Sequence, residues 1–425
     1  MYNVNSCNAV IPYFKYIFCL KYLVKKFDQH LHGTVQLTSS KSESNRALLI
    51  NALSGNQLQL HNLSAARDTQ TMERLLKESG EVWDVLDAGT TMRFCTAFLA
   101  IKGSGQTITG TPRMCQRPIG VLVGALRKLG ATIEYLGEDG YPPLKISGIK
   151  DQQTSLIEIP GNISSQFISA LLMIGPSLPD GLTLRLTTEV FSKPYIEMTL
   201  DLMRRFGVES LWEGNEIKIA PQAYSSGAYT IESDWSGASY WYSLAALGMN
   251  SELTLLGLRS ESLQGDQEIA TIMEKLGIKT TYNDKGATLT QTGEVAGEIE
   301  INFKTCPDLA QTVMVTAAAK GVTLKMTGLE SLRIKETDRI AAMQNELRKL
   351  GASLIEEGST WTMIPGTLPV TVETIDTYDD HRMAMAFAPY CAINDITIDD
   401  PSVVQKSYPD FWKDFQSVGV VIEQI

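Results

Sequence analysis

The chain has 425 residues, 44% of them hydrophobic and 20% charged, a composition typical of a folded protein with two or more domains. Its net charge of -11 excludes non-specific binding to nucleic acid or to an anionic membrane, so local clusters of cations must hold any anionic ligand. The six cysteines are scattered and only four histidines are present, which excludes a multi-histidine metal centre and indicates a reduced, cytoplasmic protein.

Residues 1–28 come before the first stretch with a clear structural period. The segment AVIPYFKYIFCLKYLV is apolar and aromatic, but Lys15 and Lys21 interrupt it, so it is too short and too charged to span a bilayer. It also lacks the unbroken apolar core and the cleavage site of a secretory signal. We interpret residues 1–28 as an N-terminal extension or the result of a start codon assigned too early; a surface-associating segment is the alternative.

The stretch SKSESNRALLI, residues 40–50, changes from polar to apolar within a few residues. Ser40 and Glu43 fit a capping box, and the apolar residues that follow fit the buried side of a helix. A capping box does not explain Lys41, because a cation in the first turn opposes the helix dipole. Lys41 and Arg46 beside the free N–H groups of a helix start predict an anion site, with a solvated helix start as the alternative.

One pattern recurs six times: a helical run ends at a hydrophobic residue and a glycine, and a strand-like stretch follows. The glycines are Gly80, Gly130, Gly207, Gly277, Gly351 and Gly419. Glycine suits the left-handed position after a helix, and the basic residues before most of these glycines suit the helix C-terminus. Except for the first interval, the spacing is close to 70 residues. The repeat therefore predicts two similar domains of three α/β units each, with a boundary near residues 225–237.

Further motifs combine small or hydroxyl residues with a cation at a predicted loop-to-helix junction. They are DAGTTMRF with Gly89 and Arg93, TPRMCQRPIG with Arg113 and Arg117, GNISSQFISALLM with Ser164, Ser165 and Gln166, and FSKPYIEM with Ser192. Each motif alone is more typical of a helix cap or a surface turn. Together they predict several helix starts that face an anion.

The stretch SLRIKETDRIAAMQNELRKLG has helical spacing, and Lys335 and Arg339 would share a face if both were helical. A bound carboxylate or phosphate would offset their repulsion, and so would Glu336 and Asp338 on a solvated face. In CPDLAQTVMVTAAAKG, Asp308 comes before an apolar helix, either as an N-cap or as a general base at a pocket edge.

Other sites are disfavoured by the sequence. In TYDDHRMAMAFAP, Asp379, Asp380 and His381 suggest a metal site, but adjacent helical residues point in different directions and no distant ligand set completes it. No metal is therefore predicted. The chain also lacks a G-x-x-x-x-G-K-[ST] loop and a usable G-x-G-x-x-G loop, which argues against nucleotide-phosphate and dinucleotide sites.

In this order, the motifs resemble those of the 3-phosphoshikimate 1-carboxyvinyltransferase (EPSP synthase) family of enolpyruvyl transferases. The similarity runs from about residue 35 to the C-terminus and rests on SKSESNRALL, DAGTTMR, PRMCQRPIG, ISSQFISALLM, SKPYIEMTL, PDLAQTV, RIKETDRIAAM, YDDHRMAMAF and VQKSYPDFW. It implies an α/β (α+β) fold of two similar globular domains, each of three βαβαββ-like repeat units forming an inverse α/β barrel. The first, discontinuous domain would contain residues 29–39 and 232–425, and the second residues 40–231.

The resemblance also implies a reaction. The enolpyruvyl group of phosphoenolpyruvate would pass to the 5-hydroxyl of shikimate 3-phosphate, giving 5-enolpyruvylshikimate 3-phosphate and phosphate in chorismate and aromatic amino acid biosynthesis. The family needs no cofactor or metal. We expect a cytoplasmic monomer whose partners are these two small molecules, with no nucleic acid and no membrane. Because Gly89 is retained, we also expect the inhibitor glyphosate to bind.

Residue roles follow from the resemblance. The implied catalytic residues are Lys41, Asp308 and Glu336. Asp308 would take the proton of the attacking hydroxyl and Glu336 would protonate the methylene carbon, although the assignment of the two transfers stays open. Implied contacts of shikimate 3-phosphate are Lys41, Ser42, Arg46, Ser164, Ser165, Gln166, Ser192, Tyr195, Asp308 and Lys335. Implied contacts of phosphoenolpyruvate are Lys41, Gly89, Arg117, Gln166, Arg339, Arg382 and Lys406. We expect the mixed charges to separate the pKa values of the two carboxylates.

The chain departs from the family pattern at a few positions, which bear on substrate affinity more than on reaction type. Asp87 replaces the usual asparagine, Cys115 a frequent lysine and Ser331 a frequent asparagine, while Thr38-Ser39 and Trp235 are also unusual. One alternative is the sister enolpyruvyl transferase that acts on UDP-N-acetylglucosamine, which has a cysteine before its Arg-Pro pair. The other is a non-catalytic anion-binding paralogue, which the retained catalytic residues and arginines disfavour.

Overall fold

The computed structural model describes residues 20–28, 30–78 and 80–425, and in this part of the chain short helices alternate with short strands. The helices are α1 Lys41–Leu53, α2 Arg67–Lys77, α3 Gly89–Lys102, α4 Gly120–Leu129, α5 Ser165–Ile174, α6 Lys193–Arg205, α7 Trp235–Leu247, α8 Ile269–Glu274, α9 Ala310–Lys320, α10 Arg339–Lys349, α11 His381–Phe387 and α12 Phe411–Ser417. The strands are β1 Lys21–Val24, β2 His30–Gln36, β3 Leu58–His61, β4 Val82–Asp84, β5 Ser104–Thr109, β6 Thr132–Tyr135, β7 Leu144–Ser147, β8 Leu156–Ile159, β9 Leu182–Leu186, β10 Leu211–Glu213, β11 Glu216–Ile219, β12 Gly227–Thr230, β13 Met249–Leu256, β14 Ile278–Tyr282, β15 Gly286–Gln291, β16 Glu298–Asn302, β17 Thr323–Thr327, β18 Ser353–Glu357, β19 Thr360–Ile364, β20 Ile396–Asp399 and β21 Ile422–Gln424.

Four sheets share one plan of four strands. Their orders are β4-β5-β7-β6, β8-β9-β11-β10, β2-β13-β15-β14 and β16-β17-β19-β18. In each sheet the first pair is parallel, and the second strand then pairs antiparallel with one strand of a hairpin. A parallel pair needs a crossover. A single helix (α3, α5 or α9) supplies it for β4-β5, β8-β9 and β16-β17, whereas the chain between β2 and β13 runs through the other core. These sheets confirm the predicted βαβαββ-like units and the α/β fold class.

Two smaller sheets depart from this four-strand plan. Strands β3 and β12 form a parallel pair, and β1 lies between β20 and β21 in an antiparallel sheet. Strand β1 falls within residues 1–28, where we expected an extension. The structure places this part in the folded body, because Val24 is fully buried and the Tyr22 ring packs edge-on against Trp412. Residues 1–19 of the predicted extension lie outside the described residues.

Two separate groups of buried apolar side chains form the cores. One draws on residues 24–37 and 235–420, and the other on residues 47–231. The chain passes twice between the two cores, and the two connecting segments are hydrogen-bonded to each other. Ser39 forms an antiparallel bridge with Ser233, and the Ser40 N–H donates to the Glu232 carbonyl oxygen at 2.9 Å. The predicted boundaries at residues 40 and 232 fall at these crossings, and the exact limits of the domains stay a prediction.

The glycines of the sixfold pattern lie where helices end. Gly130, Gly207, Gly277, Gly351 and Gly419 have φ values between 79° and 113°, the left-handed region that glycine adopts without strain. At Gly351 a side chain would also meet the carbonyl oxygen of Thr367, which lies 2.2 Å from the ideal Cβ position. The sixth glycine, Gly80, follows a residue outside the described range. The helix-stop interpretation is therefore confirmed at five of the six positions.

Candidate active site

A cavity of about 390 Å³ lies between the two cores. One wall comes from residues 41–195 and the other from residues 307–382. The predicted site residues that line it are Lys41, Ser42, Arg46, Gly89, Arg117, Ser164, Ser165, Gln166, Ser192, Tyr195, Asp308, Lys335, Glu336, Arg339 and Arg382. Lys406 does not line it, although its Nζ lies 3.7 Å from Glu336 Oε1. The tertiary structure thus brings together motifs that are more than 300 residues apart.

Helix starts supply one wall of the cavity. The first N–H groups of α3 have no side-chain cap, because Ala88 occupies the N-cap position. Ser164 caps α5, and Ser192 precedes α6 with φ 54°. A 14-residue helix with uncapped N–H groups at the cavity favours an anionic ligand.

Helix α1 has only half of the predicted capping box. Ser40 Oγ accepts from the Glu43 N–H at 3.4 Å, as expected. The Glu43 carboxylate does not return to Ser40 and instead accepts from the Tyr229 hydroxyl and the Glu232 N–H. Glu43 therefore fastens the first turn of α1, which carries Lys41 and Ser42, to the segment that crosses between the cores.

Asp308 lies between three cations. Its Oδ1 is 3.0 Å from Arg339 Nη1 and 3.5 Å from Lys335 Nζ, and its Oδ2 is 3.0 Å from Arg382 Nη2. Burial by itself would raise the pKa of Asp308, but Arg382, Lys335 and Arg339 hold this pKa well below its usual range. Asp308 stands in a 3-10 turn before α9 and caps no helix through its side chain, so the N-cap alternative is wrong.

Lys335 and Arg339 reach Asp308 by a route that differs from the predicted one. Helix α10 begins at Arg339, with Asp338 as the N-cap that accepts from the Ala341 N–H at 3.1 Å. Lys335 lies in the loop before this cap, so the two cations do not share a helix face. Because the helix begins only after the Asp338 cap, Lys335 is not helical, and the side chains of Lys335 and Arg339 both reach the Asp308 carboxylate.

Glu336 is the second carboxylate of the cavity. It accepts from Arg339 Nη2 at 2.9 Å and lies within 4 Å of both Arg117 and Lys406. Burial would raise the pKa of Glu336, but Arg339, Arg117 and Lys406 bring it well below its usual value. We expected the pKa values of the two carboxylates to be pushed apart. Both pKa values are lowered instead, because each carboxylate has several cations of its own.

The predicted shikimate side of the cavity contains more internal hydrogen bonds than the sequence suggested. Buried Arg46 donates to Thr199 Oγ1 at 2.7 Å, to the Ser42 carbonyl oxygen at 2.9 Å and to the Tyr195 carbonyl oxygen at 3.2 Å. Its guanidinium therefore ties α1 to α6. Gln166 donates to Thr90 Oγ1 at 3.0 Å, which joins α5 to α3.

Arg117 differs from Arg46 in that one N–H group of the Arg117 guanidinium has no hydrogen-bond partner among the described residues. Its side chain is buried beside Gly89, and its Nε has no partner among the described residues. A buried donor without a partner is costly, so an added acceptor in the cavity would be stabilising. Arg117 is thus one cation of the cavity that has binding capacity left.

Two carboxylates of the site were not predicted from the sequence. Asp68, in the first turn of α2, lies 3.0 Å from Lys41 Nζ. Asp266 accepts from the Ser236 hydroxyl and from the Tyr195 hydroxyl at 3.3 Å, so it joins residues of both cores. In the sequence, Asp68 is explained by its place in a first helical turn, where a negative charge suits the helix dipole. Asp266 lies in the stretch LQGD, which has no neighbouring cation. Neither residue therefore carries a sequence signal that separates it from ordinary surface acids.

Asp234 gives a pH-dependent prediction. Burial and then Asp266 raise the pKa of Asp234 from 3.8 to about 7. The native state thus binds this proton more tightly than the unfolded state, so the contribution to stability is full below about pH 4 and is lost as pH rises to about 7. We expect Asp234→Asn to gain roughly 1–3 kcal/mol relative to the parent chain between pH 5 and pH 8, measured by urea unfolding.

Asparagine can still accept from the Gly237 N–H, so the cap of α7 is retained. Asp338→Asn, at the exposed cap of α10, is the control, and its difference from the parent chain is expected to stay within about 0.5 kcal/mol at both pH values. A constant difference for Asp234→Asn would contradict the assigned direction of the pKa shift.

The described residues contain no helix long and apolar enough to cross a bilayer. They also contain no group of three His, Cys, Asp or Glu side chains placed to hold a metal ion. The fold and the cavity define an α/β protein with two cores and a cation-rich cleft between them, in which Asp308 and Glu336 each lie among several cations.

Comparison with known proteins identifies the family. The family model of EPSP synthase (3-phosphoshikimate 1-carboxyvinyltransferase) matches residues 26–86 and 78–415, and the chain belongs to this family. It is 48% identical over 409 residues to the 3-phosphoshikimate 1-carboxyvinyltransferase of Bacteroides fragilis, covering 95% of this chain and 99% of the relative. The corresponding protein of Neisseria gonorrhoeae is 38% identical over 420 residues, with 92% and 97% covered.

A solved structure supports the fold. The EPSP synthase from Acinetobacter baumannii superposes with a TM-score of 0.77, covering 96% of this chain and 100% of that one. The sequence identity in this comparison is 20%, so the comparison supports the fold alone. The predicted arrangement of repeated α/β units is thus found in a protein with little sequence similarity to this one.

Proposed function

We propose that the protein is a 3-phosphoshikimate 1-carboxyvinyltransferase, which transfers the enolpyruvyl group of phosphoenolpyruvate to the 5-hydroxyl of shikimate 3-phosphate. The observation that carries this proposal is Asp308, a partly buried carboxylate held by Arg339, Arg382 and Lys335 at the wall of the cavity. The names of the relatives support the same reaction. The scattered cysteines favour the reducing cytoplasm, and we expect the protein to act there as a monomer.

The anionic groups of the substrates fit different parts of the cavity. Arg339 and Arg382, which now hold Asp308, would bind the carboxylate of phosphoenolpyruvate. Its phosphate would lie near Arg117, Lys41, Lys406 and the start of α3 at Gly89. Ser164, Ser165 and Ser192 would take the phosphate of shikimate 3-phosphate, with Ser42, Arg46, Gln166, Tyr195 and Lys335 around its ring. These roles remain predictions.

The reaction needs a base and an acid on opposite sides of the new bond. Asp308 takes the proton of the 5-hydroxyl while its oxygen bonds to C2 of phosphoenolpyruvate, and Glu336 delivers a proton to C3. The resulting tetrahedral intermediate loses a proton from C3 and expels phosphate from C2, which forms the enol ether. The surrounding cations stabilise the intermediate, which carries the charges of both substrates.

Substrate binding would also tune the two carboxylates. Asp308 with its present partners is a weak base, because Arg382, Lys335 and Arg339 stabilise its charge. A substrate carboxylate that binds these arginines weakens their hold on Asp308, so the pKa of Asp308 rises and the residue becomes a better base. A phosphate that binds Arg117 and Lys406 has the same effect on Glu336, which can then hold the proton it delivers.

The sister reaction on UDP-N-acetylglucosamine depends on a cysteine at the active site. Cys115 is half-buried and does not line the cavity, and its Sγ lies 3.6 Å from the carbonyl oxygen of Gly110. This position does not favour the sister reaction. A non-catalytic paralogue is also disfavoured, since Asp308, Glu336 and Lys41 all meet at the cavity.

The test is phosphate release by the purified protein. We expect release with phosphoenolpyruvate and shikimate 3-phosphate together, and none with phosphoenolpyruvate and UDP-N-acetylglucosamine. Mass spectrometry of the product would show 5-enolpyruvylshikimate 3-phosphate. Release with the UDP sugar alone would assign the chain to the sister reaction, and no release with either acceptor would contradict the proposal.

Gly89 offers a prediction about the phosphate end of the site. A Cβ at this position would lie 2.7 Å from Arg117 Nη1 and 2.9 Å from Nη2, so Gly89→Ala must displace the guanidinium. We expect the KM for phosphoenolpyruvate to rise about tenfold and inhibition by glyphosate to weaken, since both need this cation. Gly124→Ala is the control, because its added Cβ meets nothing within 4 Å. An unchanged KM in Gly89→Ala would contradict the predicted role of Arg117.

A further inference from the structure

Asp87 joins two cations at the edge of the cavity. Lys406 Nζ lies 2.9 Å from Asp87 Oδ2 and 2.7 Å from the Asp87 carbonyl oxygen. Arg67 Nη2 lies 2.8 Å and 3.0 Å from the two carboxylate oxygens. Lys406 is 3% exposed and packs with the first core, whereas Asp87 stands in the turn before α3. Lys406 is therefore paired with Asp87 across the cleft.

This pairing takes place within the cation group that would hold a phosphate. Lys406 Nζ is 3.7 Å from Glu336 Oε1, and the same oxygen is 3.9 Å from Arg117 Nη1. Gly89, two residues after Asp87, touches Arg117. Burial would raise the pKa of Asp87, but the charges of Lys406 and Arg67 keep that pKa below its usual value. Asp87 is thus a negative charge beside the phosphate position at neutral pH.

We propose that Asp87 sets the affinity of the site for phosphoenolpyruvate, because its carboxylate pairs with Lys406 and competes with the incoming phosphate for it. This inference rests on the proposed function. Arg67, which is 47% exposed, has the opposite effect. It partly neutralises the Asp87 carboxylate and so weakens the attraction between Asp87 and Lys406. Asp87 thus acts on binding, with no part in the proton transfers.

The test compares Asp87→Asn with the parent chain. Asparagine keeps an oxygen that accepts from Lys406 and removes the charge. We expect the KM for phosphoenolpyruvate to fall by about tenfold, as loss of one unit charge at this range implies, while kcat and the KM for shikimate 3-phosphate change by less than about twofold. Asp84→Asn is the matched control, since exposed Asp84 lies on the same segment and, among the described residues, its carboxylate accepts only from the Leu86 N–H.

Arg67→Gln tests the proposed balance from the other side. We expect it to raise the KM for phosphoenolpyruvate by about threefold, and we expect this effect to disappear when Asp87→Asn is also present. An effect of the same size in both backgrounds would show that Arg67 acts on the substrate directly. That result, or an unchanged or higher KM in Asp87→Asn, would overturn the inference.

Calorimetric titration separates this inference from the proposed function. Phosphoenolpyruvate is titrated into the parent chain and Asp87→Asn with shikimate 3-phosphate present, and inorganic phosphate is a second probe. Tighter binding to Asp87→Asn supports the inference even if the protein shows no turnover, in which case the proposed function alone fails. Equal binding, or no measurable binding of either probe to both proteins, overturns it.

Discussion

Asp308→Asn is expected to abolish most of the turnover. The amide cannot take the proton of the 5-hydroxyl, so we expect kcat to fall by at least about a thousandfold, within the range found for loss of a general base. The KM for phosphoenolpyruvate should stay equal or fall, because the neutral side chain no longer competes for Arg339 and Arg382. Steady-state kinetics with phosphate release as the readout measures both values.

The split between kcat and KM separates a base from a structural residue. A residue that only held the arginines in place would raise KM when it is replaced. Asp338→Asn is the control, because this exposed carboxylate lies on the same loop and asparagine can retain the cap of α10. A variant Asp308→Asn with kcat within tenfold of the parent chain would contradict the assignment.

Arg339→Met is expected to have the largest effect on stability. Arg339 is 2% exposed and binds Asp308, Glu336 and Asp380, whose carboxylate is fully buried. Removing one partner of a buried ion pair leaves an uncompensated charge, which costs about 3–5 kcal/mol. We therefore expect a clear fall in the midpoint of urea unfolding, together with loss of turnover.

Two further variants isolate the cause of this effect. Arg333→Met removes an exposed arginine that pairs with Asp338 and Glu356, and surface pairs of this kind contribute at most about 1 kcal/mol. Arg339→Met/Asp380→Asn removes the unpaired charge as well and should recover part of the lost stability. Equal midpoints for Arg333→Met and Arg339→Met would contradict the importance of the buried network.

The repeat of the fold could be predicted from the sequence because its causes are local. A left-handed residue after a helix favours glycine, and the glycines from Gly130 onwards mark these positions along the chain. The same is true of the helix starts at Ser40 and Ser164, where a hydroxyl caps the first turn. These helix starts and ends depend only on residues that are close in the chain, so they can be predicted from a single sequence.

The composition of the site was also predictable, since cations beside helix starts indicate an anionic ligand and the motifs resemble one family. Only the tertiary structure decided which charges pair. Lys406 meets Asp87 over 319 residues of chain, and Asp308 meets Arg382 over 74. The lowered pKa values of Asp87 and Asp308 follow from these pairs, because electrostatic energy depends on distance in space and on burial. The sequence by itself determined the repeat and the cationic composition of the site, whereas the charge pairs and the cavity between the cores come from long-range packing alone.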